Sequence, residues 1–177
     1  MSGLGDVERL LAHEEIRQLA ARYAVATDAR DLDTLVSLFV DDVRVGRDAS
    51  GREALKEFFT SSLRDVGVTI LNTGTHLVDL DADDPNRATG VVYCRAEVQD
   101  GERWIVQAIQ YRDEYARRVG HWYFVRRRHL LWYGRDVGTN PLGLRPANWP
   151  EHHDGWGVLP EASPTWAEFW GDDAPRH

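Results

Sequence analysis

The stretch ATGVVYCRAEVQDGERWIVQAIQYRDEYARRVGHWYFVRRRHLLWY, residues 88–133, decides the fold. It contains three strand-like runs, Ala88–Val98, Trp104–Tyr115 and His121–Tyr133. Asp100-Gly101 separates the first two runs, and an Asp-Gly pair between strand formers is typical of a β-hairpin. The stretch therefore predicts neighbouring antiparallel strands.

The residues before this stretch predict three helices and one more strand. A 3.6-residue apolar period predicts a first helix from about Val7 to Thr27. Asp31 is the predicted N-cap of a second helix, and Gly51 opens a third that buries Phe59. A strand-like run, Val68–Leu80, follows these helices. Helices followed by long strands indicate an α+β fold, with the helices on one face of an antiparallel sheet.

Composition limits the possible functions. The chain has 177 residues and a net charge of −8, which argues against a nucleic-acid backbone as its partner. No apolar run approaches the roughly 18 residues of a membrane span, and no secretory signal is recognisable at Met1. Cys94 is the single cysteine, so no internal disulfide can form. These features favour a protein of the reducing cytoplasm.

The chain divides into a domain, residues 1–133, and an extension, residues 134–177. The extension holds six of the seven prolines, which predicts irregular structure. It also carries four of the seven tryptophans: Trp149, Trp156, Trp166 and Trp170. So many large aromatic residues predict an ordered extension that docks on the pocket mouth, on the outside of the sheet, or on a second subunit.

Two residues stand out as candidates for acid–base chemistry. Asp28 ends the first helix in an apolar setting, where an aspartate is often a turn residue or a cap. His76 lies in the middle of a strand, where its alternative role is a half-buried imidazole bonded to a backbone carbonyl. If the two were paired, the aspartate would fix the tautomer of the imidazole, which could then accept a proton.

An arginine triplet in the last strand suggests a cation inside the fold. Strict alternation sends Arg126 and Arg128 to the face of Trp122 and Phe124, and Arg127 to the other. One of Arg126 and Arg128 is therefore predicted to line a pocket, and the alternative is a solvated edge that stacks on tryptophan.

Other residues carry weaker signals. Tyr23 and Tyr93 are possible hydroxyl donors. The run His152-His153-Asp154 predicts no metal site, because adjacent histidines point apart and no second group of ligands has suitable spacing.

Taken together, these residues resemble the SnoaL-like group of the NTF2-like superfamily over roughly residues 7–133. The pattern that carries the resemblance comprises Tyr23, Asp28, Asp31, Leu35, Leu38-Phe39, Asp41-Asp42, Gly51-Arg52-Glu53-Ala54-Leu55, Thr75-His76-Leu77-Val78, Tyr111-x-Asp113 and Trp122-x-Phe124-x-Arg126-Arg127-Arg128. The resemblance implies a cone in which N-terminal helices pack on a curved sheet that encloses an apolar cavity.

The resemblance also implies a function. His76 would be the base and Asp28 its orienting partner, while Tyr23 would polarise a carbonyl or assist a leaving group. Arg126 or Arg128 would be the pocket cation, and Tyr93 and Phe59 would contact the substrate. Such an enzyme needs neither cofactor nor metal. It would dehydrate, isomerise or cyclise a small hydrophobic ring compound such as a polyketide, steroid or aromatic.

A non-catalytic alternative remains open, because the same fold serves as a binding or assembly subunit, for example the β subunit of ring-hydroxylating dioxygenases. In either case, the tryptophan and tyrosine residues on both faces of the sheet predict a homodimer or homotrimer.

Overall fold

The computed structural model of the protein describes residues 5–146, 148, 155 and 164–173. Three helices come first, and they are α1 (Asp6–Asp28), α2 (Leu32–Ser37) and α3 (Arg52–Arg64). A short hairpin lies between α2 and α3, formed by β1 (Arg44–Val45) and β2 (Ala49–Ser50). Four long strands follow, namely β3 (Thr69–Leu80), β4 (Arg87–Asp100), β5 (Arg103–Arg118) and β6 (His121–Asp136). A last helix, α4, spans Pro164–Trp170.

The four long strands form one antiparallel sheet in the order β3-β4-β5-β6. Gly101, at φ +59°, makes the tight turn between β4 and β5, where a left-handed backbone favours glycine. The predicted α+β class is confirmed, and the predicted strand ends lie within three residues of those observed.

The helices pack on one face of the sheet because their apolar sides are continuous. Ile16 of α1 is fully buried in one cluster with Phe124 of β6, and Leu35 of α2 is fully buried beside the first residues of the sheet's inner face. The Asp31 side chain accepts a hydrogen bond from the Thr34 backbone N–H at 3.0 Å, which confirms it as the N-cap of α2. The chain after α2 pairs with β6, since the Val40 N–H donates to the Phe124 carbonyl at 3.0 Å.

The extension packs on the domain through α4. Trp166, Phe169 and Trp170 are buried in one cluster with Leu35 and Trp104. The prediction of irregular structure is wrong for this segment, since Pro164 begins the helix, where its missing N–H costs nothing. Trp149, Trp156 and His152-His153-Asp154 lie outside the described residues.

Arg30 joins the extension to the domain. Its buried guanidinium donates to the Thr27 carbonyl at 2.7 Å, to the Thr69 hydroxyl at 2.8 Å, and to the Gly67 carbonyl. The same guanidinium stacks 4.7 Å from the Trp166 ring. One side chain therefore holds together the end of α1, the start of β3 and α4.

We expect Trp166→Ala to lower the free energy of unfolding by about 3–5 kcal/mol, because it removes a buried ring and the stacking partner of Arg30. Glu168→Ala, an exposed position of the same helix, is the matched control and should change stability by less than about 0.5 kcal/mol. Urea unfolding of both variants measures the difference. Equal midpoints for the two variants would show that α4 is not part of the cooperative domain.

Candidate active site

A bulge in β3 turns His76 toward α1. Thr73 pairs with Cys94 and His76 pairs with Val92, so Gly74 and Thr75 together face a single residue of β4. Because directly paired residues share a face, Thr73 and His76 both lie on the inner side with the buried Val92. If β3 ran through these residues without the bulge, strict alternation would place Thr73 and His76 on opposite faces.

His76 lines a cavity of about 270 Å³ between α1 and the sheet. Its other walls are Arg17, Ala20 and Ala21 of α1, Thr73 and Gly74 of β3, and Val92 of β4. Alanine and glycine leave this space open, and Arg17 adds a positive charge. Arg17 has no hydrogen bond or ion pair within the part of the chain that the structure describes.

A chain of polar contacts runs from His76 into the sheet. His76 Nε2 lies 3.1 Å from the Tyr115 hydroxyl, which donates to Asp113 Oδ2 at 2.9 Å. Asp113 Oδ1 lies 3.2 Å from Arg127 Nε. Tyr115 and Asp113 are 1% and 2% exposed, so water does not compete for these contacts.

His76 is neutral at physiological pH. Burial, together with the positive charges of Arg127 and Arg17, lowers the pKa of this imidazole to about 4. A neutral imidazole has one nitrogen with a free electron pair, so His76 is in the protonation state that a general base requires.

The cation inside the fold is Arg127, which corrects the prediction for Arg126 and Arg128. Glu114 pairs with Arg126 but Tyr115 pairs with Phe124, so Val125 is an extra residue in β6. This bulge inverts the alternation and brings Phe124 and Arg127 to the same inner face. The Arg127 side chain is 4% exposed, whereas that of Arg126 is 61% exposed. Arg128 is also exposed.

Aromatic rings surround Arg127. Its guanidinium lies 4.3 Å from the Tyr23 ring, 4.0 Å from the Tyr111 ring and 4.8 Å from the Phe124 ring. Such cation–π contacts partly replace the lost hydration of the buried cation. The Asp113 carboxylate supplies the counter-charge.

Tyr23 and Phe59 belong to a packed aromatic cluster. The Tyr23 ring lies 6.2 Å from Phe59, 6.4 Å from Phe39 and 6.0 Å from Tyr111. Neither Tyr23 nor Phe59 lines the cavity of His76. Burial raises the pKa of Tyr23 above its usual value, so its hydroxyl stays protonated.

Asp28 is joined to the start of β3 and not to His76. Its carboxylate accepts from the Thr69 hydroxyl and from the Leu71 backbone N–H, each at 2.9 Å. No hydrogen bond joins Asp28 to His76 among the described residues, so the predicted pair is not formed. The physical reason is that an unpaired strand N–H and a buried hydroxyl both need an acceptor at the end of α1. Burial raises the pKa of Asp28 to about 6.

Tyr93 lies on the outer face of the sheet. It is 40% exposed, and its ring lies 4.8 Å from that of Trp132. In β4 the buried side chains are Val92 and Cys94, so alternation sends Tyr93 outward. Tyr93, predicted to contact the substrate, therefore does not line the cavity of His76.

Sequence reasoning missed Tyr115 and Arg17. A signal for Tyr115 was present, because it lies two residues after Asp113 in β5 and so shares its face. Arg17 lies three and four residues before Ala20 and Ala21, which is the spacing of one helix face. Both patterns also occur in ordinarily packed strands and helices. They indicate a site only once the bulge in β3 is known to bring His76 inward.

No group of three or more possible metal ligands occurs among residues 5–146, 148, 155 and 164–173. Cys94 is buried, and burial raises the pKa of its thiol to about 11, so it is not a reactive thiolate. Over the same residues, no helix is both long enough and apolar enough to cross a membrane.

Helices packed on one face of a four-stranded antiparallel sheet define this chain as a small α+β domain. The chain belongs to the SnoaL-like domain family, whose pattern matches residues 8–128. This confirms the resemblance seen in the sequence.

Solved structures with the same fold include a candidate scytalone dehydratase from Novosphingobium aromaticivorans. It is 19% identical, with 77% of this chain and 94% of that chain covered and a TM-score of 0.64. A hexachlorocyclohexane dehydrochlorinase from Novosphingobium barchaimii is 20% identical, with 76% and 95% covered and a TM-score of 0.66. A candidate aromatic ring hydroxylase from N. aromaticivorans is 19% identical, with 76% and 96% covered and a TM-score of 0.61. At this identity the likeness establishes the fold alone. No curated protein matches the chain.

The charge of Asp28 should make stability depend on pH. Its pKa is about 6 in the folded protein against an ordinary 3.8. The folded state therefore holds this proton more tightly, and the stability that it contributes is complete below about pH 3.8 and lost as the pH rises through about 6. Because asparagine cannot ionise, the stability of wild type relative to Asp28→Asn should fall between pH 4 and pH 8, by no more than about 3 kcal/mol.

Urea unfolding of both proteins at the two pH values, at one protein concentration, measures this change. Asp48→Asn, in the exposed turn between β1 and β2, is the control for loss of a surface charge. A relative stability that stays constant or rises with pH would contradict the assignment.

Proposed function

We propose that the protein is a cofactor-free acid–base enzyme that moves a proton on a small hydrophobic ring compound. The observation that carries this proposal is the neutral His76 on the wall of a cavity between α1 and the sheet, with one ring nitrogen engaged by Tyr115. The other nitrogen, Nδ1, has no partner among the described residues. A base with these properties can take a proton from carbon beside a carbonyl group.

His76 can both remove the proton from the substrate and return it, so the reaction needs no other proton donor or acceptor. His76 Nδ1 removes a proton from the carbon next to the carbonyl, and the electron pair moves to the carbonyl oxygen. Arg17, on the same cavity wall, provides the positive charge that stabilises this oxyanion. The imidazolium then returns its proton to a leaving hydroxyl, which departs as water, or to another carbon, which gives an isomer. No net proton is consumed in either case.

The size and walls of the cavity favour a small substrate. A cavity of about 150 Å³ holds benzene, so about 270 Å³ suits one substituted ring or two fused rings. Ala20, Ala21 and Val92 offer apolar contacts, while Thr73 and Arg17 offer polar contacts. A cyclic ketone, including a ring of polyketide, steroid or aromatic origin, meets these requirements.

His76→Gln should lower kcat by roughly 10²–10⁴-fold, since glutamine keeps a polar side chain but cannot act as the base. Deuterium uptake from D₂O next to the carbonyl, over a panel of β-hydroxy cyclic ketones, measures proton abstraction whichever product forms. His121→Gln, an exposed histidine at the start of β6, is the matched control. Wild-type exchange rates in His76→Gln would refute the proposal.

The packing around Tyr23 favours a second candidate, a non-catalytic binding or assembly subunit. Four rings contact Tyr23 at 6.0–6.4 Å and fill the interior beside Arg127. In such a subunit the cavity of His76 would be unused. Two results would support this candidate over the enzyme. The protein would purify together with a Rieske-type α subunit, and the wild type would show no more deuterium exchange than His76→Gln.

We further propose that the protein forms a homodimer or homotrimer through the outer face of the sheet. Trp132 and Tyr133 are 53% and 57% exposed, and the Tyr93 ring lies 4.8 Å from that of Trp132. Monomeric proteins rarely leave a contiguous group of this kind in water.

Trp132→Asp should shift the protein to a monomer in sedimentation velocity, because it places an unpaired charge in the proposed contact. Val119→Asp lies in the exposed β5–β6 turn and should keep the wild-type assembly. A wild-type protein that sediments as a monomer would refute the proposed oligomer.

A further inference from the structure

We propose that Tyr115, held by Asp113, is a positioning residue for His76. Tyr115 keeps the proton of the neutral imidazole on Nε2, and Nδ1 therefore presents its electron pair to the cavity. The inference rests on the proposed function for its catalytic meaning, but the positioning itself can be measured without a substrate.

Counting the protons in the chain of contacts gives this assignment. The Tyr115 hydroxyl carries one proton, and it donates that proton to Asp113 Oδ2 at 2.9 Å. The hydroxyl oxygen can then only accept from His76 Nε2, 3.1 Å away. An Nε2–H is therefore required for this contact to be a hydrogen bond, and the free electron pair of the neutral ring lies on Nδ1.

Asp113 is held in the orientation that fixes the direction of the hydroxyl. Its other oxygen, Oδ1, lies 3.2 Å from Arg127 Nε, and both side chains are almost fully buried. Burial raises the pKa of Asp113, while the charge of Arg127 and the hydrogen bond from Tyr115 oppose that rise. The paired carboxylate accepts and does not donate, so the Tyr115 proton points away from His76.

Gly90 leaves the space that the Tyr115 hydroxyl occupies. A Cβ at position 90 would lie 3.1 Å from the Tyr115 hydroxyl oxygen and 2.9 Å from the Leu77 carbonyl oxygen. On its other side the Tyr115 ring packs 5.4 Å from Phe124. The hydroxyl therefore has one well-defined position, which is what a positioning residue requires.

The charged groups that face His76 explain how it can give and take a proton. Arg17 faces it from α1, Tyr115 and Asp113 from β5, and Arg127 from β6. The two cations disfavour the imidazolium in the resting protein. Once Nδ1 has taken a proton, the Tyr115 oxygen still accepts from Nε2–H, and Asp113 stabilises the positive charge through that hydroxyl.

Asp28 does not compete for this role. Both of its carboxylate oxygens are engaged, one by the Thr69 hydroxyl and the other by the Leu71 N–H. The acid that supports His76 in this chain is Asp113, which acts through Tyr115.

The tautomer of His76 provides the test. Long-range ¹H–¹⁵N NMR spectra at pH 7 should show wild-type His76 as the Nε2–H tautomer, whose two ring nitrogens differ strongly in chemical shift. Tyr115→Phe removes the acceptor but keeps the ring, and it should give a mixture of both tautomers. Tyr111→Phe, a buried tyrosine on the same face of β5 that makes no hydrogen bond to His76, should keep the wild-type spectrum.

A wild-type His76 that is mainly Nδ1–H, or a Tyr115→Phe spectrum that matches the wild type, would overturn the proposal. With an active substrate, Tyr115→Phe should also lower kcat at least about tenfold with little change in KM. The two proposals fail separately. If wild-type His76 is the Nε2–H tautomer but His76→Gln is fully active, the positioning role of Tyr115 stands and the proposed enzyme is refuted. If wild-type His76 is the Nδ1–H tautomer but His76→Gln is inactive, the proposed enzyme stands and the positioning role is refuted.

Discussion

The buried ion pair between Arg127 and Asp113 is the contact on which the interior depends. A charge away from water is costly unless a partner and hydrogen bonds replace its hydration. Here the guanidinium has one carboxylate and a set of aromatic faces, and the carboxylate also accepts from Tyr115. Removal of either charge would leave the other buried without a counter-ion. The pair therefore constrains both β5 and β6. His76 takes its place at the far end of the same network.

Asp28 and Arg30 serve a different part of the fold, although the family resemblance pairs Asp28 with His76. Arg30 adopts a left-handed backbone, φ +56°, which costs energy for a residue with a side chain. Its contacts with α1, with the segment before β3 and with Trp166 offset that cost. Burial lowers the pKa of Arg30 to about 10, and Asp28 opposes this change. These two residues therefore serve mainly to join the end of α1 to the start of β3.

Much of the architecture could be predicted from local signals in the sequence. The Asp31 cap, the Asp100-Gly101 turn and the four apolar runs depend on neighbouring residues, and each has its predicted counterpart in the structure. The site was harder to predict, because two strand bulges decide which side chains face inward. A bulge depends on pairing with the next strand, so nothing in the run Arg126-Arg127-Arg128 shows that the middle residue is the buried one. The engagement of Asp28 by Leu71 likewise depends on where α1 ends relative to β3.

The arginine triplet has a consequence for how this strand can change during evolution. Val125 is the extra residue of this bulge, and if β6 instead alternated strictly through Val125 from Phe124, Arg126 and Arg128 would turn inward in place of Arg127. Since all three positions carry the same side chain, either alternation delivers a guanidinium to the side of the sheet that holds Asp113. A single-residue insertion or deletion normally exchanges the two faces of a strand. In this strand, such a change would leave the interior carboxylate with a counter-ion.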